Sequence, residues 1–178
     1  MQIEIDGKVF EEFISYDQIK KRIRLLGIQL SVDFEKSNPV FLGVLNGSFM
    51  FLGDLMKEVS IPCEVSFVKV ASYQGVERTD DMKELIGLSA DLNGRDVIIV
   101  EDVIDSGHTL KKIIKDLKAY ETRSISICSL LVKPNAVQVE IPEVQYVGFE
   151  ISNEFVVGYG LDFNNMGRNL PNIYKEIS

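Results

Sequence analysis

The sequence is poor in the residue types on which several common site chemistries depend. It has two cysteines, Cys63 and Cys128, and one histidine, His108. The cysteines lie in the apolar contexts PCEVSFV and ISICSLL, so they read as buried, reduced thiols rather than a disulfide or a metal site. A lone histidine with no cysteine nearby argues against a zinc ligand set. Basic charge is also short: 19 Lys and Arg stand against 27 Asp and Glu, a net charge of -8. The one basic cluster, Lys20, Lys21, Arg22 and Arg24, falls on a helical stretch and reads as a solvated face, which makes a nucleic-acid partner a poor fit. No apolar run reaches the roughly 20 residues needed to span a bilayer. MQIEIDGKVF has no basic segment leading into an apolar one, so a cytoplasmic protein without a membrane partner is expected. Internal repeats and low-complexity segments are absent. So is the GxxxxGK[ST] phosphate loop, and Gly158-x-Gly160 lacks the third glycine of a dinucleotide fingerprint.

What remains is an ordinary globular composition, 46% hydrophobic and 26% charged over 178 residues, enough for a single domain spanning 1–178 with a real core. Residues 2–5 and 8–10 alternate around Asp6-Gly7, a hairpin signal. Ser15-x-x-Gln18 has the form of a capping box, and Ile19, Ile23, Leu26 and Leu30 follow at helical spacing, predicting an amphipathic helix over 16–35. VFLGVLN, EVSFVKVAS, VIIVE, ISICSLLV and VQYVGFE read as strands. FMFLGDLMKEV and TLKKIIKDLKAY read as helices. Residues 74–84, QGVERTDDMKE, read as a mobile polar loop. Apolar strands alternating with helices predict an α/β fold with a mainly parallel sheet flanked by helices. Ligands of such sheets sit at the carboxyl ends of the strands. That rule selects four exits: Asn46-Gly47-Ser48, Ala71-Ser72-Tyr73, Glu101 to Thr109, and Val132-Lys133-Pro134.

The third exit, VIIVEDVIDSGHTL, is the most informative. A tight loop from Asp105 to Thr109 opening a helix aims backbone N–H groups and the helix dipole at one point, and Ser106 and Thr109 add hydroxyls; this suits a phosphate. The backbone of His108 serves the loop, and its side chain is expected in solvent. Glu101 and Asp102 just upstream would repel that phosphate unless they hold hydroxyls or Mg²⁺. A cis-diol fits, so the string suggests a sugar phosphate. An isolated Asp-Ser-Gly is more readily a strand ending in solvated acids before a helix; the full string reverses that preference towards the ligand.

This stretch resembles the phosphoribosyl-diphosphate motif of type I phosphoribosyltransferases. LGVLNGSFMFLGDL, VKVASYQG, SLLVKP and YVGFEISNEFVVGYGLDFNNMGRNLP, in the same order and at similar spacing, narrow the resemblance to the hypoxanthine (hypoxanthine-guanine) phosphoribosyltransferase family. The resemblance runs from about residue 10 through nearly the whole chain, within the few-residue tolerance of pattern reading. It implies a parallel-sheet core with a small hood built from the C-terminal block and N-terminal residues. It implies transfer of a 5-phosphoribosyl group from phosphoribosyl diphosphate to a 6-oxopurine, with Mg²⁺, by a homo-dimer or homo-tetramer.

By the same resemblance, Glu101 and Asp102 hold the ribose hydroxyls and metal, and Asp105, Ser106, Gly107, His108 and Thr109 cradle the 5-phosphate. Asp105 is also the general base: a carboxylate near C1′ stabilises the cation formed as pyrophosphate leaves and manages the purine proton. Lys133 donates to the purine 6-oxo group, which adenine lacks. Phe155 stacks on the base and Val156 offers backbone groups to its edge. Asp162 holds a second Mg²⁺ and Arg168 pairs with pyrophosphate. Ser72 and Tyr73 lie at the base of a lid formed by 74–84. Asn46-Gly47 matches a pyrophosphate loop that reads Lys-Gly in many members and carries a non-proline cis peptide. With Asn46 the lysine contact is missing, leaving backbone N–H groups, Arg168 and metal. A regulatory protein that binds phosphoribosyl diphosphate and nucleic acid is disfavoured by the net charge, and a transferase for another base by Lys133 with Phe155.

Overall fold

The computed structural model describes residues 1–70, 84–86 and 90–177. The chain opens with a hairpin of β1 (Gln2–Ile5) and β2 (Lys8–Ile14), in which Ile5 pairs with Lys8. The two-residue turn puts Asp6 at φ 48° and Gly7 at φ 76°, the left-handed pair that Asp-Gly supplies at little steric cost. Helix α1 (Tyr16–Asp33) begins as expected at Ser15, with both arms of the capping box made. It stops two residues short of the predicted end, where the Phe34 N–H closes on Leu30 O at 3.0 Å.

Next come β3 (Val40–Leu45), α2 (Phe49–Glu58), β4 (Glu64–Val70), β5 (Glu84–Ile86), β6 (Asp96–Ile104), α3 (His108–Leu117), β7 (Ser124–Val132) and β8 (Val144–Glu150). The main sheet has the order β5-β4-β3-β6-β7-β8. All neighbours are parallel except β5, which runs antiparallel to β4 at the edge. The predicted loop over 74–84 therefore ends at a strand residue, Glu84; its other residues lie outside those described. Strands β9 (Val156–Val157) and β10 (Ile173–Glu176) join the opening hairpin in a second sheet, β1-β2-β10-β9. This is the expected hood, formed by the two ends of the chain.

Two apolar layers clamp the main sheet. Ile98, Val100, Cys128 and Leu130 pack with α1 and α2, while Val97, Ile99 and Ile127 pack with α3. Alternation along a strand sends successive side chains to opposite faces, so continuous apolar runs signal burial on both. Helix α3 buries Leu110, Ile113, Ile114 and Leu117, each contributing roughly 1.5–3 kcal/mol. Cys128 is fully buried and Cys63 half-buried, both as free thiols. Among the described residues, no helix is long and apolar enough to cross a membrane.

Candidate active site

The chain winds outward from the centre of the sheet in both directions, through α2 to β4 and through α3 to β7. The switch falls between β3 and β6, where doubly wound sheets open a crevice. Strands β3 and β6 pair only over Val40–Gly43 and Val97–Val100. Beyond that, β3 stays with β4 as far as Leu45, and β6 stays with β7 as far as Ile104. The strands part, and a cavity of about 250 Å³ opens in the gap, lined by Val44, Leu45 and Gly47 on one side and Glu101 through Gly107 on the other.

Glu101 and Asp102 lie within β6 rather than beyond it. Sequence reading ended the strand at Glu101 because the apolar run ends there; pairing with β7 carries it on to Ile104. Glu101 is only 7% exposed. Its Oε1 accepts from the Asp102 N–H at 3.1 Å, and Asp102 Oδ1 accepts from the Val103 N–H at 2.8 Å. Burial pushes both carboxyls above the usual carboxylate range; the neighbouring Asp102 charge raises Glu101 further, whereas hydrogen bonds and Arg168 partly offset the rise at Asp102. Glu101, buried, and Asp102, half-buried, stand side by side as like charges that a cation would stabilise. Gly47 closes over them: an added Cβ would lie 1.5 Å from Asp102 Oδ2, so only glycine lets the 46–48 loop approach this closely.

Among the described residues, α1 is capped by Ser15, but neither Ser48 before α2 nor Gly107 before α3 makes a side-chain cap bond. Both open starts follow strand exits that border the cavity, leaving backbone donors for an anion. Gly107, at φ 84° with its Cα against Ile141 and Val139, makes the turn that brings Asp105, Ser106, His108 and Thr109 around the second start. The loop is braced from behind by the Gln138 N–H, which donates to Ser106 O at 3.0 Å. His108 is exposed, as expected, and its Nε2 lies 3.2 Å from Gln138 Oε1. The bracing segment 137–141 was not singled out in the sequence; its only signal is Val137, Val139 and Ile141 in alternation.

Across the rim, Lys133 Nζ donates to Asp105 Oδ2 at 3.2 Å. The lysine side chain is 11% exposed and the carboxylate 59%, so a buried ammonium points outward at an accessible carboxylate. The Ile151 N–H bonds to Val132 O at 2.9 Å, which leads the hood segment past the Lys133 exit. Phe155 is 42% exposed; its ring lies 6.3 Å from Phe10 and edge-on to Phe163 at 5.7 Å. Val156 is buried in β9, opposite Lys175. Arg168 Nη2 meets Asp162 Oδ1 at 2.6 Å, and Nη1 donates to Gly160 O at 2.7 Å.

One expectation needs adjusting, and one falls where the structure is not described. The cis peptide is the Leu45-Asn46 bond, one residue before the Asn46-Gly47 position anticipated. Ser72 and Tyr73 lie outside the described residues, as does most of the proposed lid.

Crevice, buried acids and open helix start together define a phosphoribosyltransferase, and the profile of the phosphoribosyl transferase domain family matches residues 15–164. The hypoxanthine phosphoribosyltransferases of Salmonella typhimurium and Escherichia coli are each 45% identical over 170 residues, covering 94% of this chain and 95% of theirs. A solved hypoxanthine phosphoribosyltransferase of Staphylococcus aureus superposes with a TM-score of 0.88 at 38% identity, covering 94% of this chain and 91% of that one. A hypoxanthine-guanine phosphoribosyltransferase of Bacillus anthracis gives the same TM-score at 34% identity, covering 96% and 99%. The chain belongs to the hypoxanthine phosphoribosyltransferase family.

Proposed function

We propose that this protein transfers the 5-phosphoribosyl group of phosphoribosyl diphosphate to hypoxanthine, and also to guanine, releasing IMP or GMP and pyrophosphate in purine salvage. The observation that carries this reading is the Asp105–Lys133 pair at the rim of the crevice, beside the open start of α3. The loop from Asp105 to Thr109 holds the 5-phosphate. Glu101 and Asp102 face the ribose hydroxyls. Lys133 has three donors, so it can keep Asp105 while offering another N–H to a 6-oxo group. Asp105 then takes the purine proton and faces the positive charge that develops at C1′. Phe155, with part of its ring exposed, offers a stacking face, and Val156 backbone groups to the base edge. Asn46, Gly47, Asp162 and Arg168 serve the pyrophosphate end. Ser72 and Tyr73 are assigned to the lid by resemblance alone.

The donor set fits Mg²⁺. Among the described residues, no cluster of three potential ligands occurs. Mg²⁺ typically needs only one or two carboxylates alongside substrate oxygens and water, and Glu101 and Asp102 supply that number where they line the crevice. Those two residues would hold one ion, and Asp162 a second once Arg168 turns to the pyrophosphate. Bound there, Mg²⁺ would neutralise charge on the diphosphate leaving group.

We further propose that residues 1–178 act as one catalytic domain, in the cytoplasm, as a homo-dimer or homo-tetramer. Leu25, Ile28 and Val32, 59%, 50% and 69% exposed at helical spacing on α1, support self-association; light scattering reads it directly. The activity itself is tested by absorbance with Mg²⁺, phosphoribosyl diphosphate and hypoxanthine, guanine, xanthine, adenine or uracil. Turnover confined to 6-oxopurines is expected, and none with any purine would sink the proposal.

A further inference from the structure

A second polar cluster lies behind the site. Asp54, on α2, accepts from the Tyr159 hydroxyl at 2.7 Å and from Lys57 Nζ at 2.7 Å, with the Tyr16 hydroxyl at 3.5 Å. Tyr159 is fully buried. Burial alone would raise the Asp54 carboxyl, but Lys57 and Tyr159 outweigh it, and the group is held below its usual range. Asp54 is therefore a stable anion, and the tyrosine a strong, charge-assisted donor to it. Residues this far apart in the chain (a separation of 105) are joined for a reason that secondary structure does not supply.

Both ends of that bond lead to the crevice. Helix α2 starts directly after the Asn46-Gly47-Ser48 loop, so a displacement of Asp54 moves the loop as part of one rigid element. Tyr159 stands between Gly158 at φ 100° and Gly160 at φ 99°, and itself has φ 50°. This sparsely allowed backbone turns its ring inward. Its neighbour Gly160 packs on the carbonyl of Gly47; an added Cβ would lie 2.1 Å from that oxygen. Gly160 also exchanges bonds with Arg168: its N–H donates to Arg168 O at 2.9 Å, and its carbonyl accepts from the guanidinium. Asp162 follows two residues later.

We propose that the Tyr159–Asp54 hydrogen bond is a positioning contact that sets the Asp162–Arg168 turn in register with the 46–48 loop, and so shapes the pyrophosphate end of the site. This rests on the pyrophosphate reading of those residues given above. Tyr159 and Asp54 touch no reacting atom in this scheme. They act through Gly160 and through α2, and their removal selectively weakens the ligand that bridges the two loops.

The test compares Tyr159→Phe, Asp54→Asn and Asp54→Ala in steady-state kinetics with Mg²⁺, varying phosphoribosyl diphosphate and hypoxanthine in turn, and in the reverse direction varying pyrophosphate. Loss of one charge-assisted hydrogen bond corresponds to about tenfold or more in an equilibrium. Tyr159→Phe is expected to raise KM for phosphoribosyl diphosphate and pyrophosphate about tenfold, with KM for hypoxanthine within about twofold of wild type. Asp54→Asn keeps a neutral acceptor for the tyrosine and is expected to raise KM for phosphoribosyl diphosphate less than Asp54→Ala, which should match Tyr159→Phe. If Tyr159→Phe does not fold, the Asp54 pair decides: a larger rise in KM with alanine than with asparagine supports the proposal, and equal KM values overturn it. Lower thermal stability with both KM values unchanged would mean a purely structural contact and overturn it as well. Arg168→Ala separates the two readings. If it raises KM for the diphosphate while Tyr159→Phe does not, the positioning contact alone fails; if neither does, the pyrophosphate assignment fails.

Discussion

Gly47→Ala separates fold from function at one atom. The new methyl would sit 1.5 Å from Asp102 Oδ2 and 2.4 Å from Cγ, whereas non-bonded heavy atoms settle at roughly 3.5 Å. The carboxylate must therefore move by roughly 2 Å. It is the far end of a side chain with an open cavity beside it, so the backbone can stay where it is. The expected loss of stability is only an off-rotamer χ of about 0.5–1.5 kcal/mol and a net hydrogen bond to the Val103 N–H of about 1 kcal/mol. For a chain of this size, each kcal/mol lowers Tm by about 2–4 °C. Function has no such slack. Asp102 would leave the position proposed for ribose and metal binding by more than the roughly 1 Å that already reduces rates about 100-fold. We expect kcat/KM for phosphoribosyl diphosphate to fall at least about 100-fold while Tm drops by less than about 10 °C. Steady-state kinetics and thermal melting on the same preparation read both. Wild-type kcat/KM would falsify the claim that Asp102 works from this position; an unfolded variant would show that the loop, not the carboxylate, is what glycine protects.

Gly160→Ala should cost more stability than Gly47→Ala. Its Cβ meets a backbone carbonyl at φ 99°, so we expect a stability loss of about 2–4 kcal/mol in denaturant titrations, and a neutral result would contradict the close approach of the two loops. Asp105→Asn should lower kcat about 100-fold or more with little change in the dissociation constant of phosphoribosyl diphosphate, separable by single-turnover kinetics and calorimetry. Lys133→Ala should erase the preference for hypoxanthine over adenine in competition assays; a retained preference would remove the lysine from base selection. Asp96 is held at about 2, mainly by the Arg123 guanidinium, against the opposing effect of burial. A depressed carboxyl stabilises the fold above its unfolded pKa and loses that contribution as pH falls through the folded value. Because the Arg123 side chain is 55% exposed, solvent screening keeps this contribution small. Arg123→Ala should therefore be less stable than wild type at neutral pH, and the gap should close between about pH 4 and pH 2; a pH-independent gap in urea melts would refute this.

Most of the elements were legible in the order of residues, because local physics sets them. Asp6-Gly7 prescribes the hairpin turn, Ser15 with Gln18 starts α1, and the spacing of Leu110, Ile113, Ile114 and Leu117 commits α3 to one buried face. Unbroken apolar runs such as VIIV demand cover on both sides of a strand. The order of the motifs was enough to nominate Glu101, Asp102, Asp105, Lys133 and Phe155. Errors came where pairing overrides pattern. β6 runs past its apolar core because β7 supplies hydrogen-bond partners as far as Ile104.

Only the tertiary structure decided how the nominated residues meet. Sequence periodicity encodes which face of an element is buried; it carries no information about where two strands stop pairing. The parting of β3 and β6 after Gly43 and Val100 opens the crevice. It places Gly47 against Asp102, and the chain path sets Lys133 on Asp105 and Tyr159 on Asp54. These contacts join residues that are distant in the chain, and their chemistry depends on burial that the whole fold must supply.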